Sequence, residues 1–435
     1  MARFHRHTRG EWSEPQAAWG HVRTRLALPR LLHTADWQIG KPFRWVEDQQ
    51  KRIRLQQARI EAISRIAEHA QKQNADALLV AGDLFDSAAV PTATVMEVLE
   101  VMASIPCPVL VIPGNHDHGG AGGIWRRTDV QREMQQRCPG LQLLLERRPI
   151  KLPELVVLPC PLLRQHEGES PTAWLDALDW SSLPSDSSRV VLAHGSVQGF
   201  NGGDDDLEAG GGGRAESNRL RLGPGIEREV DYIALGDWHA LHQVSERCWY
   251  SGTPEPDRFS RSSAEQRGQI LQVDLKRQRP PQVTTLGTAG IQWHGLKMQL
   301  NSNTDLERLE HWLDQQVGRR VGKDLIRLEL EGQLSLADHQ AFAQRLEQLE
   351  PSLLHLRLRG EGIHRRPQAE ELSELTDRRD GPLLSAVALQ LLGELERSND
   401  PEQVTLLETA LCELHRLCER ESGENPRAQK EAPCA

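Results

Sequence analysis

Residues that bind metals recur in this sequence directly after runs of apolar, β-prone residues. Open α/β sheets build their sites at the carboxyl ends of their strands, so these recurring blocks predict an α/β fold with one shared site. In chain order the blocks are Asp36-Trp37-Gln38 after residues 31–32, Gly82-Asp83 after 78–80, Gly114-Asn115-His116-Asp117 after 109–112, His194-Gly195 after 190–193, and Gly236-Asp237-Trp238-His239 after 232–235.

The chemistry of these blocks points to divalent metals. Asp, Asn, Gln and His supply the oxygen and nitrogen donors that hard or borderline divalent ions prefer. One such block would be a weak signal. Five in order, each after a predicted strand, are specific enough to predict a metal centre.

The five blocks resemble the calcineurin-like metallophosphoesterase superfamily, whose pattern is D-x-H, G-D, G-N-H-D/E, an isolated H, and G-H-x-H. Within it, residues 32–40, 81–86 and 250–256 resemble the SbcD-type nuclease subunit of DNA-repair complexes. The resemblance covers about residues 30–290 and is weaker beyond. It implies a metallophosphoesterase-type β-sandwich flanked by helices, with four layers in the order αββα.

The resemblance also implies two divalent metal ions bridged by Asp83. Mn²⁺ is the expected ion, and Mg²⁺ is the alternative. One ion would be held by Asp36, Gln38, Asp83 and His239, and the other by Asp83, Asn115, His194 and Asp237.

Three positions depart from the family pattern. Gln38 and Asp237 stand where the family has His, and Asp86 replaces a His common in the nuclease branch. Gln38 and Asp237 still offer an oxygen donor, so they favour Mn²⁺ or Mg²⁺ over Zn²⁺. They also leave open a weakened or inactive site.

His116 is expected to act on the substrate rather than to bind a metal. In the family its counterpart faces the scissile phosphate, where it would stabilise the transition state and protonate the leaving oxygen. Asp117 is expected to orient it. His33 is expected to point away from the metals, because alternate residues of a strand face opposite sides.

Cations beside aromatic residues follow two of the blocks. Such clusters suit a sugar-phosphate backbone and a stacked base, and the resemblance favours DNA. Alternatively, the aromatic residues anchor loops to the core. The predicted substrate-binding residues are Lys41, Arg44, Trp45, Arg126 and Arg127.

The bulk composition limits the class of protein. At 435 residues with a mean hydropathy of -0.54, we expect one to three domains and no membrane span. The seven Cys form no CxxC pair, which suggests reduced thiols and a cytoplasmic location. The net charge of -10 argues against nucleic acid, although local basic patches can outweigh it.

The chain divides into four predicted parts. Residues 1–30 form an irregular basic extension, and 31–290 the metallophosphoesterase (nuclease) domain, with a flexible Gly- and Asp-rich loop at 201–215. A strand-helix-strand-helix-strand pattern predicts a small α/β capping domain at 291–362. Residues 363–435 are expected to form a helical tail that is a partner-binding region.

Two apolar stripes mark the tail. They either pack on the chain's own core or form a partner-binding face. The resemblance implies an SbcC-like ATPase partner and a homodimer. The stripes are Leu384, Val387, Leu391 and Leu395, and then Val404, Leu407, Leu411, Leu414 and Cys418.

Together these features predict a two-metal phosphodiesterase, most like an SbcD-type DNA exonuclease or endonuclease that acts in DNA repair with its ATPase. Two alternatives stay open. One is a calcineurin-like phosphoesterase for a small nucleotide or other phosphoester. The other is a catalytically weak DNA-binding or scaffold subunit.

Overall fold

The computed structural model describes residues 28–197, 218–262, 264–317, 321–365, 369–377, 382–398 and 400–423. Most of the predicted basic extension and the predicted loop at 201–215 lie outside the described residues. Two compact units divide the chain, the first ending at Ile291 and the second beginning at Gln292.

The described residues form seventeen strands and nine α-helices. In chain order the described strands are β1 (Arg30–Thr34), β2 (Ala77–Ala81), β3 (Val109–Ile112), β4 (Leu141–Leu143), β5 (Ile150–Leu152), β6 (Leu155–Cys160), β7 (Ser188–His194), β8 (Ser196–Val197), β9 (Arg219–Leu220), β10 (Tyr232–Gly236), β11 (His242–Gln243), β12 (Cys248–Tyr250), β13 (Gln269–Asp274), β14 (Gln282–Gly287), β15 (Gln292–Leu300), β16 (Asp324–Leu334) and β17 (His355–Arg365). The described α-helices are α1 (Gln49–Gln73), α2 (Thr92–Met102), α3 (Thr128–Arg137), α4 (Pro224–Glu229), α5 (Asn303–Val317), α6 (Leu336–Leu349), α7 (Ala369–Thr376), α8 (Pro382–Leu395) and α9 (Pro401–Gly423).

Two six-stranded sheets form the centre of the first unit. Their strand orders are β14-β13-β1-β2-β3-β4 and β11-β12-β10-β7-β6-β5. Strands β1 to β4 run parallel to one another, as do β6, β7, β10 and β12. The carboxyl ends of the parallel strands within each sheet therefore meet at one edge.

Apolar packing joins the sheets into four layers. Leu79 and Leu110 of the first sheet pack with Leu192 and Ala234 of the second, which buries both inner faces. The outer face of the first sheet packs on α1, α2 and α3, and that of the second on shorter helical segments that include α4. The predicted αββα sandwich is confirmed.

Helix α1 shows how the local sequence sets an element. The Asp48 side chain caps its start by accepting hydrogen bonds from the backbone N–H groups of the first turn. Ile60, Ile63 and Ala67 are buried as their helical spacing predicts, but Ile53 is 54% exposed. The buried apolar face of α1 therefore begins after Ile53. Helix α2 begins at Thr92, directly after Pro91.

The second unit contains a parallel three-stranded sheet in the order β15-β16-β17. Leu306, Leu309 and Leu313 of α5 pack on Ile326 and Leu328 of β16, and α6 adds to the same core. The strand-helix-strand-helix-strand order of this region is the predicted one.

Helices α7, α8 and α9 also belong to the second unit. Leu414 is buried against Leu375 and Ala388, beside Leu384 and Leu391. This packing favours the alternative in which the second stripe packs on the chain's own core, and Leu407 and Leu411 of that stripe are buried as well. Among the described side chains of α8 and α9, the large apolar ones left exposed are Leu383, Val387, Leu389 and Leu406. The Cys418 side chain lies outside the described residues. Among the described helices, none combines the length and hydropathy that crossing a membrane requires.

Candidate metal centre

The ends of several parallel strands bring three metal-ligand side chains together. Asp36 follows β1, Asp83 follows β2, and His194 ends β7. One ligand atom from each lies within 4.8 Å of the others, and all three residues are buried. The sequence blocks therefore converge as their positions after strands predict.

The backbone around these residues is held in unusual conformations. Asp36, Gln38, Asp83 and Asp237 have positive φ angles of 56°, 41°, 53° and 101°. Residues other than glycine rarely adopt positive φ angles, because the Cβ atom collides with the backbone. Such conformations persist only where the surrounding structure holds them, and they are concentrated at functional sites.

The glycines of these blocks allow close approach. A Cβ at Gly82, where φ is +90°, would collide with the His194 ring, and a Cβ at Gly114 would collide with the Asp83 carboxylate. Larger residues at either position would therefore push the predicted ligands apart.

His194 presents one ring nitrogen to a cluster of oxygens. Its Nδ1 lies 2.8 Å from the Ala81 carbonyl and donates to it, because a carbonyl can only accept. Its Nε2 lies 2.8 Å from Oδ1 of Asn115, 3.6 Å from that of Asp83 and 3.7 Å from that of Asp237. Burial lowers the pKa of His194, but the carboxylates of Asp83, Asp237 and Asp36 outweigh burial and raise it to about 9. This arrangement favours a positive charge, from a proton or a metal ion.

Asp83 and Asp36 differ in their surroundings. Burial raises the pKa of Asp83, but His194 and His116 outweigh it and hold that pKa below its usual value. The Oδ1 of Asp83 also accepts a hydrogen bond of 2.9 Å from the His116 backbone N–H. Burial instead raises the pKa of Asp36 to about 6, and its carboxylate accepts from the Asp237 N–H at 3.1 Å.

His239 is oriented by Asp257, a residue that the sequence did not single out. The Nδ1 of His239 lies 2.7 Å from Oδ2 of Asp257, whose other oxygen accepts from Arg267 at 2.9 Å. Burial opposes ionisation, but His239, Lys41 and Arg267 outweigh it and hold the pKa of Asp257 well below its usual range. A carboxylate that accepts a hydrogen bond from the Nδ1–H of a histidine is typical of histidines that bind metals through Nε2. In the sequence, the position of Asp257 directly after the 250–256 block was the only indication of this role.

His116 is held by a backbone carbonyl, and this corrects the role expected of Asp117. The Nδ1 of His116 donates to the Asp86 carbonyl at 2.8 Å. The buried Asp117 carboxylate accepts from the backbone N–H groups of Gly114 at 2.7 Å and Leu84 at 3.0 Å, and also from Asp83 and Phe85. Asp117 therefore fixes the loops that carry Asp83 and Asn115. Burial raises its pKa to about 7.

The first predicted substrate-binding cluster lies beside the predicted ligands. Lys41 Nζ donates to Gln38 Oε1 at 2.9 Å and to Asp257 Oδ2 at 3.2 Å. Arg44 is exposed, and Trp45 is half-buried with its ring 6.2 Å from that of Phe259.

The second predicted cluster serves mainly to anchor a loop. Trp125 is buried against Phe85, and Arg127 donates to the Val90 carbonyl at 2.6 Å and to Asp129 at 2.7 Å. These internal contacts correct the substrate role expected of Arg127. Arg126 is exposed, with its Nε bonded to the Gly119 carbonyl at 2.8 Å.

Arg59 of α1 is a buried cation that sequence reasoning missed. It is 2% exposed and donates to the carbonyls of Trp37 at 2.6 Å and Asp36 at 3.1 Å. It also reaches the Glu255 carbonyl at 3.0 Å. Arg59 therefore braces the first block from behind, a contact that an arginine on a helix does not reveal in sequence.

His33 lies apart from the ligand cluster, as expected. Its Nδ1 lies 2.9 Å from the Tyr232 hydroxyl and its Nε2 lies 3.1 Å from the Leu235 carbonyl. Both ring nitrogens are therefore used in the core.

The assembled donors fit hard divalent ions. Carboxylates, an Asn oxygen and imidazole nitrogens whose Nδ1 atoms are already bonded suit Mn²⁺ or Mg²⁺.

Comparison with known proteins agrees with this geometry. The chain is 22% identical over 356 residues to the SbcD subunit of the SbcCD nuclease of Bacillus subtilis, covering 75% of this chain and 85% of that protein. It is 31% identical over 226 residues to the DNA double-strand break repair protein Mre11 of Aeropyrum pernix, covering 49% of each. The chain thus spans about half the length of the Aeropyrum pernix protein. The calcineurin-like phosphoesterase model matches residues 29–264, which is more than half of the chain. The chain therefore belongs to the calcineurin-like phosphoesterase family and is a metal-dependent hydrolase of that family.

Proposed function

We propose that this protein is a DNA nuclease of the SbcD type that works in DNA repair with an SbcC-like ATPase, as a homodimer. The convergence of Asp36, Asp83 and His194 carries the proposal, because these three residues could hold a metal ion and lie at the strand ends of a phosphoesterase fold. Relatives named as a nuclease subunit and a DNA break repair protein support DNA as the substrate.

Two donor sets would hold a pair of divalent ions, Mn²⁺ by preference. Such a pair neutralises a phosphodiester and lowers the pKa of a bound water. Asp83 would contribute to both sets. The first set comprises Asp36, Gln38, Asp83 and His239, and the second comprises Asp83, Asn115, His194 and Asp237.

His116 would act on the phosphate through Nε2. Because Nδ1–H is bonded to the Asp86 carbonyl, Nε2 is the nitrogen left to meet a substrate. The imidazolium would stabilise charge on the phosphoryl oxygens. As the P–O bond breaks, its Nε2–H proton would pass to the leaving oxygen. Arg44 and Trp45, both accessible, would contact the DNA backbone and a base, with Arg126 as a further cation.

Metal preference tests the function directly. We expect Mn²⁺ to support cleavage of double-stranded DNA and of bis-p-nitrophenyl phosphate, with Zn²⁺ a poor substitute because the donors are mostly oxygens. Initial rates with each metal would be measured on folded protein. No turnover with any metal would contradict the enzyme proposal. Hydrolysis of the small diester without cleavage of any DNA would instead favour a small-molecule phosphoesterase.

Metal uptake should release a proton from His194. In the metal-free protein its pKa lies at about 9, so the ring is mostly charged at pH 8, and a metal ion must displace that proton. We expect release of about one proton per Mn²⁺ at the His194 position, falling as the pH rises through the pKa. Titration calorimetry in buffers of different ionisation enthalpy measures this count. A count that does not change between pH 8 and pH 10 would contradict the assignment.

A further inference from the structure

One side of the ligand cluster already contains a side-chain cation. Lys41 Nζ donates to Gln38 Oε1 at 2.9 Å and to Asp257 Oδ2 at 3.2 Å, and the Lys41 side chain is only 12% exposed. Gln38 belongs to the first proposed donor set, so the ammonium contacts the oxygen that would face a metal.

These contacts fix which way the Gln38 amide points. An ammonium can only donate, so the Gln38 oxygen faces Lys41 and its NH₂ group faces His239 Nε2 at 3.2 Å. His239 Nδ1 donates to Asp257, which leaves Nε2 with the lone pair that accepts from Gln38. The atoms through which Gln38 and His239 would bind a metal are therefore both engaged within the protein.

The second donor set is arranged differently. There the His194 Nε2 faces oxygens of Asn115, Asp83 and Asp237 at 2.8 to 3.7 Å, so these donors already point at one another across the site. A metal ion entering this set meets donors that already converge. An ion entering the first set must instead turn the Gln38 amide and separate it from Lys41.

We propose that Lys41 makes the two metal positions unequal, so that the second donor set fills first and the first fills only when Lys41 releases Gln38. This inference rests on the proposed metal pair. Its physical basis is the loss of the Lys41–Gln38 hydrogen bond and the repulsion between an ammonium and a nearby divalent ion. Because of Lys41, both metal positions would be filled only at a higher concentration of free metal ion than the second donor set alone requires.

Metal binding by the full chain tests the proposal without an activity assay. For the wild-type protein we expect Mn²⁺ dialysis to resolve two classes of site whose affinities differ at least about tenfold, or about 1.4 kcal/mol. Lys41→Met should tighten the weaker class by about tenfold and leave the tighter class unchanged. Lys41→Arg should keep the separation. Lys72→Met is the matched control, because Lys72 is an exposed lysine in the last turn of α1.

A measurement on the wild type alone guards against misfolding of the variants. Electron paramagnetic resonance during the titration should show mainly isolated Mn²⁺ up to one equivalent and mainly a spin-coupled pair beyond it. Coupled pairs from the first additions, or Lys41→Met with both affinities unchanged, would overturn the inference. Two equal sites together with DNA cleavage would leave the proposed function standing. Absence of any Mn²⁺ binding would defeat both.

Discussion

Asp83→Asn is expected to remove both metal ions and to lower the rate of DNA cleavage by about a thousandfold or more, the upper range for losing an electrostatic contact to the transition state. Asp83 would serve both donor sets, and its carboxylate also accepts the His116 backbone N–H. Asparagine keeps the shape and one acceptor oxygen, so the fold should survive. Elemental analysis of bound metal and the initial rate of cleavage would be measured on the same preparation.

His116→Ala provides the contrast within the same site. It should retain both metals, because its proposed part is to stabilise charge and deliver a proton, yet lose about 10² to 10⁴-fold in rate. Asp186→Asn, which changes an exposed carboxylate of the same unit, should alter neither quantity. If His116→Ala loses metal as severely as Asp83→Asn, the role assigned to His116 is wrong.

The sequence predicted that three candidate ligands converge, because position along a strand determines at which end of the sheet a residue lies. Asp36, Asp83 and His194 follow or end apolar strands, and parallel strands must bring their carboxyl ends to one edge. The flanking glycines also indicate where the site lies. Gly82 and Gly114 leave space for His194 and Asp83, so a glycine before Asp83 and before Asn115 is required by contacts between segments that are distant in sequence.

The support around these ligands could not be predicted in the same way. Arg59 contacts Glu255 and Asp257 contacts Lys41, in each case far away in sequence, and neither Arg59 nor Asp257 lies in a block with a recognisable pattern. Asp117 was assigned to the neighbouring His116 because the two are adjacent in sequence. Its carboxylate instead satisfies backbone N–H groups of two loops, which only the folded chain brings into reach.

Helical periodicity predicted which side of each helix is apolar, but it did not predict which residues pack against that side. In α9 the spacing of Leu407 and Leu414 correctly predicts an apolar stripe, and the structure shows that both are buried, Leu414 against Leu375 and Ala388. Leu406, only one residue from Leu407, is 69% exposed. A partner-binding surface on α9 would therefore include Leu406 and would lie beside the buried stripe of Leu407 and Leu414.

That difference gives a sharp test of the proposed ATPase contact. Leu414→Asp should destabilise the second unit by about 3–5 kcal/mol, as expected for an uncompensated buried charge. Leu406→Asp combined with Leu389→Asp should change stability by about 0.5 kcal/mol or less per site, because both side chains are exposed. We expect the double variant to keep its melting temperature and its hydrolysis of the small diester but to lose association with an SbcC-like ATPase, since helix-in-groove docking uses exposed apolar anchors.

Gln390→Asp combined with Gln403→Asp is the matched control for this double variant, because it adds the same two charges at exposed polar positions of the same two helices, one of them next to Leu389. It should keep both the melting temperature and the association. Thermal melting and pull-down with the purified ATPase separate the outcomes. Undiminished association of the Leu406→Asp, Leu389→Asp protein would place the partner elsewhere on the chain. A large fall in its melting temperature would instead show that these leucines stabilise the second unit itself.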